Sequence, residues 1–158
     1  MPPTIEAGAP GGYYQRPSLD GSRPGAYYIN LKDTADWPSW TLPTLTYHEA
    51  SPGHHLQIAL QQESPSAPKL MNLFFFSAYG EGWGLYAEQL ADELGAYQDD
   101  PAGQIGYLQS LMFRAARLVV DTGIHAKGWS REQVIKYMLD DSAESETQST
   151  AEAERYIA

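Results

Sequence analysis

The sequence predicts a mainly α-helical domain with an irregular, partly β arm at its N-terminal end. Three observations carry that expectation. Glycine, proline and tyrosine crowd into residues 1 to 43, with turn signals at Pro10-Gly11-Gly12, Asp20-Gly21 and Pro24-Gly25. From Leu42 onward apolar residues recur at helical spacing between recognisable starts and stops. The 158 residues are enough to bury one real core. Residues 1–158 are therefore expected to form a single domain, with 1–42 as the arm and 43–158 as the helical core.

Within the arm, Ala26-Tyr27-Tyr28-Ile29-Asn30-Leu31 is the one convincing strand, being aromatic and β-branched. It would either pack over the helices or line a cleft as an edge strand to which a peptide could add. A first helix is expected from Pro43 or Thr44 through Gln62, ending before Ser64-Pro65, and a second from about Pro68 to Leu94, stopped by Gly95. Asp100-Pro101 reads as an N-cap followed by proline at the first helical position, opening a third helix that runs to Lys127 with Gly128 as its stop. Ser130 and Gln133 form a capping box, with Trp129 and Val134 as a hydrophobic staple, for a helix over 131–140. The acidic segment 143–158 is compatible with a last helix.

Composition excludes several function classes. The formal net charge is −10, from 20 acidic and 10 basic residues, which argues against nucleic acid and against an anionic membrane surface. There is no cysteine, so any metal must be held by His, Asp or Glu. The longest apolar run, Leu70 to Ala87, carries three glycines and Glu81, which makes a membrane span improbable and a buried core helix the expectation. The opening Met-Pro-Pro-Thr-Ile-Glu has neither a basic n-region nor an apolar h-region, so no signal peptide is visible and the cellular address stays open.

The chemistry concentrates at His48-Glu-Ala-Ser-Pro-Gly-His-His-Leu-Gln57, which holds three of the four histidines. Neutral imidazoles suit a divalent metal, and a glutamate beside it can take a proton from bound water. The usual HExxH spelling is absent, because the i+4 position is Pro52. On a straight helix His55 returns to the face of His48 about 10 Å further along, and His54 sits about 120° away. A bulge at Pro52-Gly53 that absorbs two residues would bring His54 back into register. His48 and His54 are thus the favoured ligands, with His55 as an alternative ligand or a supporting group.

Glu81 is the only charge between Leu70 and Ala87, and an ionised carboxylate in such surroundings needs compensation. Either a metal ion or an arginine, Arg114 or Arg117, would supply it. On the third helix, Arg117, Asp121 and His125 fall at i, i+4 and i+8 opposite Ile105, Leu108, Met112, Ala115 and Val119. That stripe is either the wet side of the helix or a wall of the metal cleft. In the second case His125 would stabilise an oxyanion, Arg117 would bind a substrate carboxylate or carbonyl, and Asp121 would orient one of them. Both cases predict i, i+4 pairs along the stripe.

With these residues in view, the chain resembles the bacterial domain-of-unknown-function family numbered 885, which is similar to helical zinc metallopeptidases of the thimet oligopeptidase and Taq carboxypeptidase type. The resemblance rests on runs 6–14, 23–31, 48–57, 81–88 and 117–125, with His-Glu-x-x-Pro-Gly-His-His the most telling. It implies a metallopeptidase-like helical core, a Gly-His-x-Leu context that favours His54 over His55, Glu81 as third ligand and Glu49 as general base. It also implies a parent several times longer, periplasmic or secreted, of which this chain is the active-site portion. Such a portion could bind metal without turnover and self-associate through uncovered apolar surface.

The expected function is accordingly a peptidase core with one zinc ion on His48, His54 and Glu81, acting on peptides. Glu49 would be the base, and His125, Tyr27 or Tyr28 the oxyanion partner. The alternative is a non-catalytic metal- or peptide-binding module, in which His55 completes a closed four-ligand site. A metal-dependent esterase or amidase is a third option.

Overall fold

The computed structural model describes residues 1–6 and 9–158; residues 7 and 8, inside the 6–14 run, lie outside the described residues. Among the described residues the arm holds two strands rather than one. β1 (Gly12–Gln15) pairs antiparallel with β2 (Ala26–Ile29), Gly12 opposite Ile29 and Gln15 opposite Ala26. β1 escapes a propensity reading because it is short and follows a glycine pair; pairing with β2 makes it a strand. The connecting loop is tied by Asp20, which accepts hydrogen bonds from the Ser22 amide at 3.0 Å and the Ser22 hydroxyl at 2.7 Å.

The first expected helix is two helices. α1 (Leu42–Glu49) starts with Pro43 in its first turn and stops at Ala50, whose backbone leaves the helical region at φ −100°, ψ −105°. α2 (His54–Glu63) resumes after Gly53. The second expected helix is also shorter: a 3-10 turn at Lys69–Asn72 precedes extended backbone, and α3 covers Ser77–Glu93. Gly95, at φ +81°, closes that end.

α4 (Pro101–Lys127) has the expected bounds, with the Asp100 side chain accepting from the Gly103 amide and Gly128 closing it at φ +68°. The Ser130–Gln133 capping box opens α5 (Arg131–Asp141), and α6 (Glu146–Ile157) begins three residues later than expected, capped by Ser145. Ala116 and Val120 of α4, Val134 and Met138 of α5 and Ala153 of α6 form the buried cluster, with Trp129 packed against it. A second anchor joins α1 to the α3–α4 connection. There Thr44 and Tyr97 share a buried 2.6 Å hydrogen bond, and Tyr97 stacks on Tyr107.

Two apolar surfaces face outward, which corrects the expectation of a buried helix over 70–87. Leu70 is 63% exposed and Phe76 65%, and only one face of α3, including Gly80, Gly84 and Ala87, is buried. On α4 the stripe Ile105, Leu108, Met112 and Val119 is exposed as well. The run 70–87 is apolar all round, and its sequence cannot say which side has a neighbour. No helix among the described residues is long and apolar enough to cross a membrane.

Candidate metal centre

The break between α1 and α2 brings the two imidazoles together. The Ala50 carbonyl accepts from the amides of His55 at 3.1 Å and Leu56 at 3.3 Å, where an unbroken helix would use residue 54. The chain has thus absorbed the extra residues in a turn, not in a helical bulge. A β-carbon on Gly53 would lie 1.8 Å from the His48 carbonyl oxygen, so only glycine fits there. Trp83 holds the turn from α3, its indole N–H donating to the Pro52 carbonyl at 2.9 Å. His54, the first residue of α2, lies edge-on to His48 with ring centroids 4.7 Å apart.

α3 provides the cradle opposite. Glu81, Gly84 and Glu88 fall at i, i+3 and i+7 and share one face. A β-carbon on Gly84 would sit 2.4 Å from His48 Cε1, so the glycine is the space the ring occupies. Glu88 is fully buried and accepts a 2.6 Å hydrogen bond from His48 Nδ1. A carboxylate can only accept here, so Nδ1 carries the proton and Nε2 keeps its lone pair. Nε2 stands 3.6 Å from Glu81 Oε2, and one donor atom each from His48, His54 and Glu81 lie within 4.8 Å of one another.

The electrostatics follow from this packing. Burial opposes a charge on His48, but Glu81 and Glu88 outweigh it and its pKa is raised. Burial and the neighbouring His48 lower His54, which favours the neutral, ligating form. The contact with His48 holds Glu81 down at about 2, although its side chain is 53% exposed. Burial raises the Glu49 carboxyl, with the Tyr14 backbone amide among the smaller influences that lower it. Arg114 lies over the His48 ring, 3.5 Å from both ring nitrogens, and 3.9 Å from Glu81. Its Nε is buried without a partner among the described residues.

The centre opens into a cleft of about 860 Å³ that runs from β1 past His48, Glu49 and Glu81 to Arg117 and α6. The strand that borders it is β1, not β2. Asn30 N–H donates to the Gly11 carbonyl, so the ladder alternates to direct the backbone groups of Gly12 and Tyr14 away from β2. Among the described residues that outer edge pairs with no other strand.

The predicted site residues therefore divide. His48, His54, Glu81 and Glu49 converge at the cleft. His55 is turned away, its Nδ1 sharing a 2.9 Å hydrogen bond with the Tyr14 hydroxyl. Arg117 lines the cleft. His125 does not: it lies about 16 Å along α4 from Arg114, and its Nε2 donates to the Tyr156 carbonyl at 3.0 Å. Tyr28 is half-buried and stacks on Tyr13 at 5.0 Å without itself lining the cleft, while Tyr27 has a buried hydroxyl. The expected Arg117–Asp121–His125 ladder is not formed among the described residues. Arg114 and Glu88 are the residues that the sequence reading undervalued. The i+7 spacing of Glu88 from Glu81 is the signal that could have found it.

The fold and site define a mainly helical domain that carries a two-histidine, one-glutamate cluster, buried on its histidine side, at the head of a cleft. The chain belongs to the DUF885 family, bacterial proteins of unknown function, whose profile matches residues 1–158. It is similar to a solved protein of Colwellia psychrerythraea described as a putative lipoprotein, with 52% identity and a TM-score of 0.95, over 100% of this chain and 27% of that one. A second, from Shewanella oneidensis and described as a putative lipoprotein of unknown function, shares 25% identity with a TM-score of 0.76, over 95% of this chain and 29% of that one. The chain thus spans little more than a quarter of the solved relatives it matches. No curated protein matches it.

Proposed function

We propose that this domain is the core of a zinc-dependent peptidase, with His48, His54 and Glu81 holding one metal ion. The observation that carries the proposal is the convergence of those donors, buried on the histidine side, around an imidazole whose tautomer a buried carboxylate fixes. The donor set fits. Tetrahedral zinc with bonds near 2.0 Å needs ligand atoms about 3.3 Å apart. The His48–Glu81 separation is 3.6 Å, and the widest in the set, within 4.8 Å, closes by small side-chain rotations. His54 is buried and its pKa is lowered, so its imidazole is held in the neutral form that can ligate a metal.

Bound zinc supplies a Lewis acid for the scissile carbonyl and makes water a nucleophile near neutral pH. Glu49, raised by burial, accepts the proton of the attacking water and returns it to the leaving amine. Arg114, and not His125, sets its positive charge beside the donor cluster, where negative charge develops on the carbonyl oxygen. The outer edge of β1 supports a peptide as substrate, because the backbone groups of Gly12 and the Tyr14 carbonyl are open to pairing with an extended chain, the Tyr14 amide being turned to Glu49. A small-molecule ester or amide would leave that edge unused. A non-catalytic module with a closed site would require His55 as a fourth ligand, and His55 is committed to Tyr14. The lipoprotein descriptions of the two solved relatives support an envelope or secreted location.

Metal analysis of protein purified without added metal, beside His48→Ala and Glu81→Ala variants, tests the proposal. One zinc per chain in the parent and none in the variants is expected. No zinc in the parent, or equal zinc in all three, means that His48 and Arg114 balance Glu81 and the cluster is an ion-pair network.

A further inference from the structure

Arg117 stands apart from every other cation in the cleft. Arg114 is occupied with His48 and Glu81, Arg155 is paired with Glu152 at 2.6 Å, and Arg16 donates to the Asn72 carbonyl at 3.0 Å. Arg117 makes neither an ion pair nor a hydrogen bond among the described residues, although its side chain is only partly exposed and lines the cleft. Its guanidinium is held between two aromatic faces, 5.4 Å from the Phe113 centroid and 5.3 Å from that of Tyr156. Such contacts fix the plane of the group through its faces and leave its N–H edge free, which is where a carboxylate binds in a two-pronged fashion.

The neighbours make this a position for an anion rather than an idle charge. Glu152, the nearest acid to Tyr156, is consumed by Arg155 and by the Tyr156 hydroxyl. Glu144, also in the lining, is pushed up to about 7 by burial and by Glu152, so it carries only part of a charge near neutrality. On α4, Arg117 follows Arg114 by three residues, or about 4.5 Å along the axis. One residue of extended substrate spans about 3.4 Å. A negative group a residue or two beyond the carbonyl that Arg114 faces would therefore reach Arg117.

We infer that Arg117, clasped by Phe113 and Tyr156, is a specificity-determining anion subsite that recognises the free C-terminal carboxylate of a peptide whose scissile bond lies at the His48–Glu81 centre. The inference rests on the peptidase reading for its substrate, but its test needs no metal and no turnover. The full chain, held in chelator, is titrated with acetyl-tetra-alanine carrying a free C-terminal carboxylate and with the same peptide as its C-terminal amide, followed by calorimetry.

The free acid is expected to bind at least about tenfold more tightly than the amide, in keeping with the strength of a charge-assisted, bidentate contact. Arg117→Gln should erase the difference, and Arg117→Lys should restore only part of it, because an ammonium lacks the fork. Arg16→Gln, which removes another positive charge from the cleft lining without freeing an acid, should leave the preference in place. Equal binding of acid and amide, no measurable binding of either, or a preference that survives Arg117→Gln would overturn the subsite. Should Arg117→Gln prove unfolded by circular dichroism, the acid-to-amide ratio in the parent and in the lysine variant still decides. Zinc content and carboxylate preference are separate readouts, so failure of the subsite and failure of the metal centre are told apart.

Discussion

Gly84 is the narrowest point of the centre, and replacing it with alanine tests how His48 is held. The new methyl carbon would lie 2.4 Å from His48 Cε1 and 2.6 Å from Nε2. These are ring atoms, fixed on one side by the Glu88 hydrogen bond and on another by the edge of His54, so the imidazole has little room to yield. Overpacking of this kind costs about 1–3 kcal/mol. Alanine in a helix returns about 1 kcal/mol relative to glycine. A net destabilisation of about 0–2 kcal/mol is therefore expected in urea unfolding, against the stabilisation that helix propensity alone would give. Because the displaced atom is the one that faces Glu81, zinc affinity should fall as well, by about 10- to 100-fold as for other disturbances of a ligand's support.

Gly82 provides the control on the same helix. A methyl group there meets no atom within 4 Å. Gly82→Ala should stabilise the fold by about 0.5–1 kcal/mol through helix propensity alone and leave zinc affinity unchanged. If Gly84→Ala matched Gly82→Ala in both unfolding midpoint and chelator-competition affinity, the fixed position of His48 against α3 would be refuted.

Two further outcomes follow from the same chemistry. Glu88→Gln keeps an acceptor for His48 Nδ1 but removes the charge behind it, so zinc affinity should fall by about tenfold in chelator competition; an unchanged affinity would strip Glu88 of its orienting role. Glu144 has its carboxyl raised from 4.5 to about 7 by burial and by Glu152. The folded state thus binds that proton more tightly than the unfolded state, and stability falls as pH rises from 4.5 through 7. Glu144→Gln should stabilise the protein by about 1 kcal/mol at pH 8, after allowance for solvent screening, and by nothing near pH 4. Equal urea midpoints for the two proteins at pH 8 would count against the buried position of this acid.

What was legible in the sequence was local. The bounds of α4 and the capping box of α5 are set by residues within one turn of the helix end, Asp100-Pro101, Gly128, Ser130 and Gln133, which satisfy amides or supply a left-handed backbone wherever they occur. The pairing of His48 with His54 was legible for the same reason, since Pro52 and Gly53 cannot continue α1. The apolar run that precedes α3 shows the limit. Leu70 to Phe76 has the composition of a buried helix, yet it forms a 3-10 turn and an extended segment with exposed side chains.

By itself, then, the sequence determined that the protein is mainly helical, where α4 and α5 begin, that any metal must rest on histidine and carboxylate, and that an irregularity at Pro52-Gly53 returns the second imidazole to the first, which the structure makes a turn between two helices rather than a bulge in one. Tertiary structure alone decided which side of each helix has a neighbour. It placed β1 rather than β2 beside the cleft, turned the apolar stripe of α4 outward, sent His125 to α6, and set Glu88 and Arg114 around His48. The physical reason is range. Caps and breaks are satisfied by atoms within a few residues, whereas burial and the charge state of a carboxylate depend on groups tens of residues away that pattern and spacing do not encode.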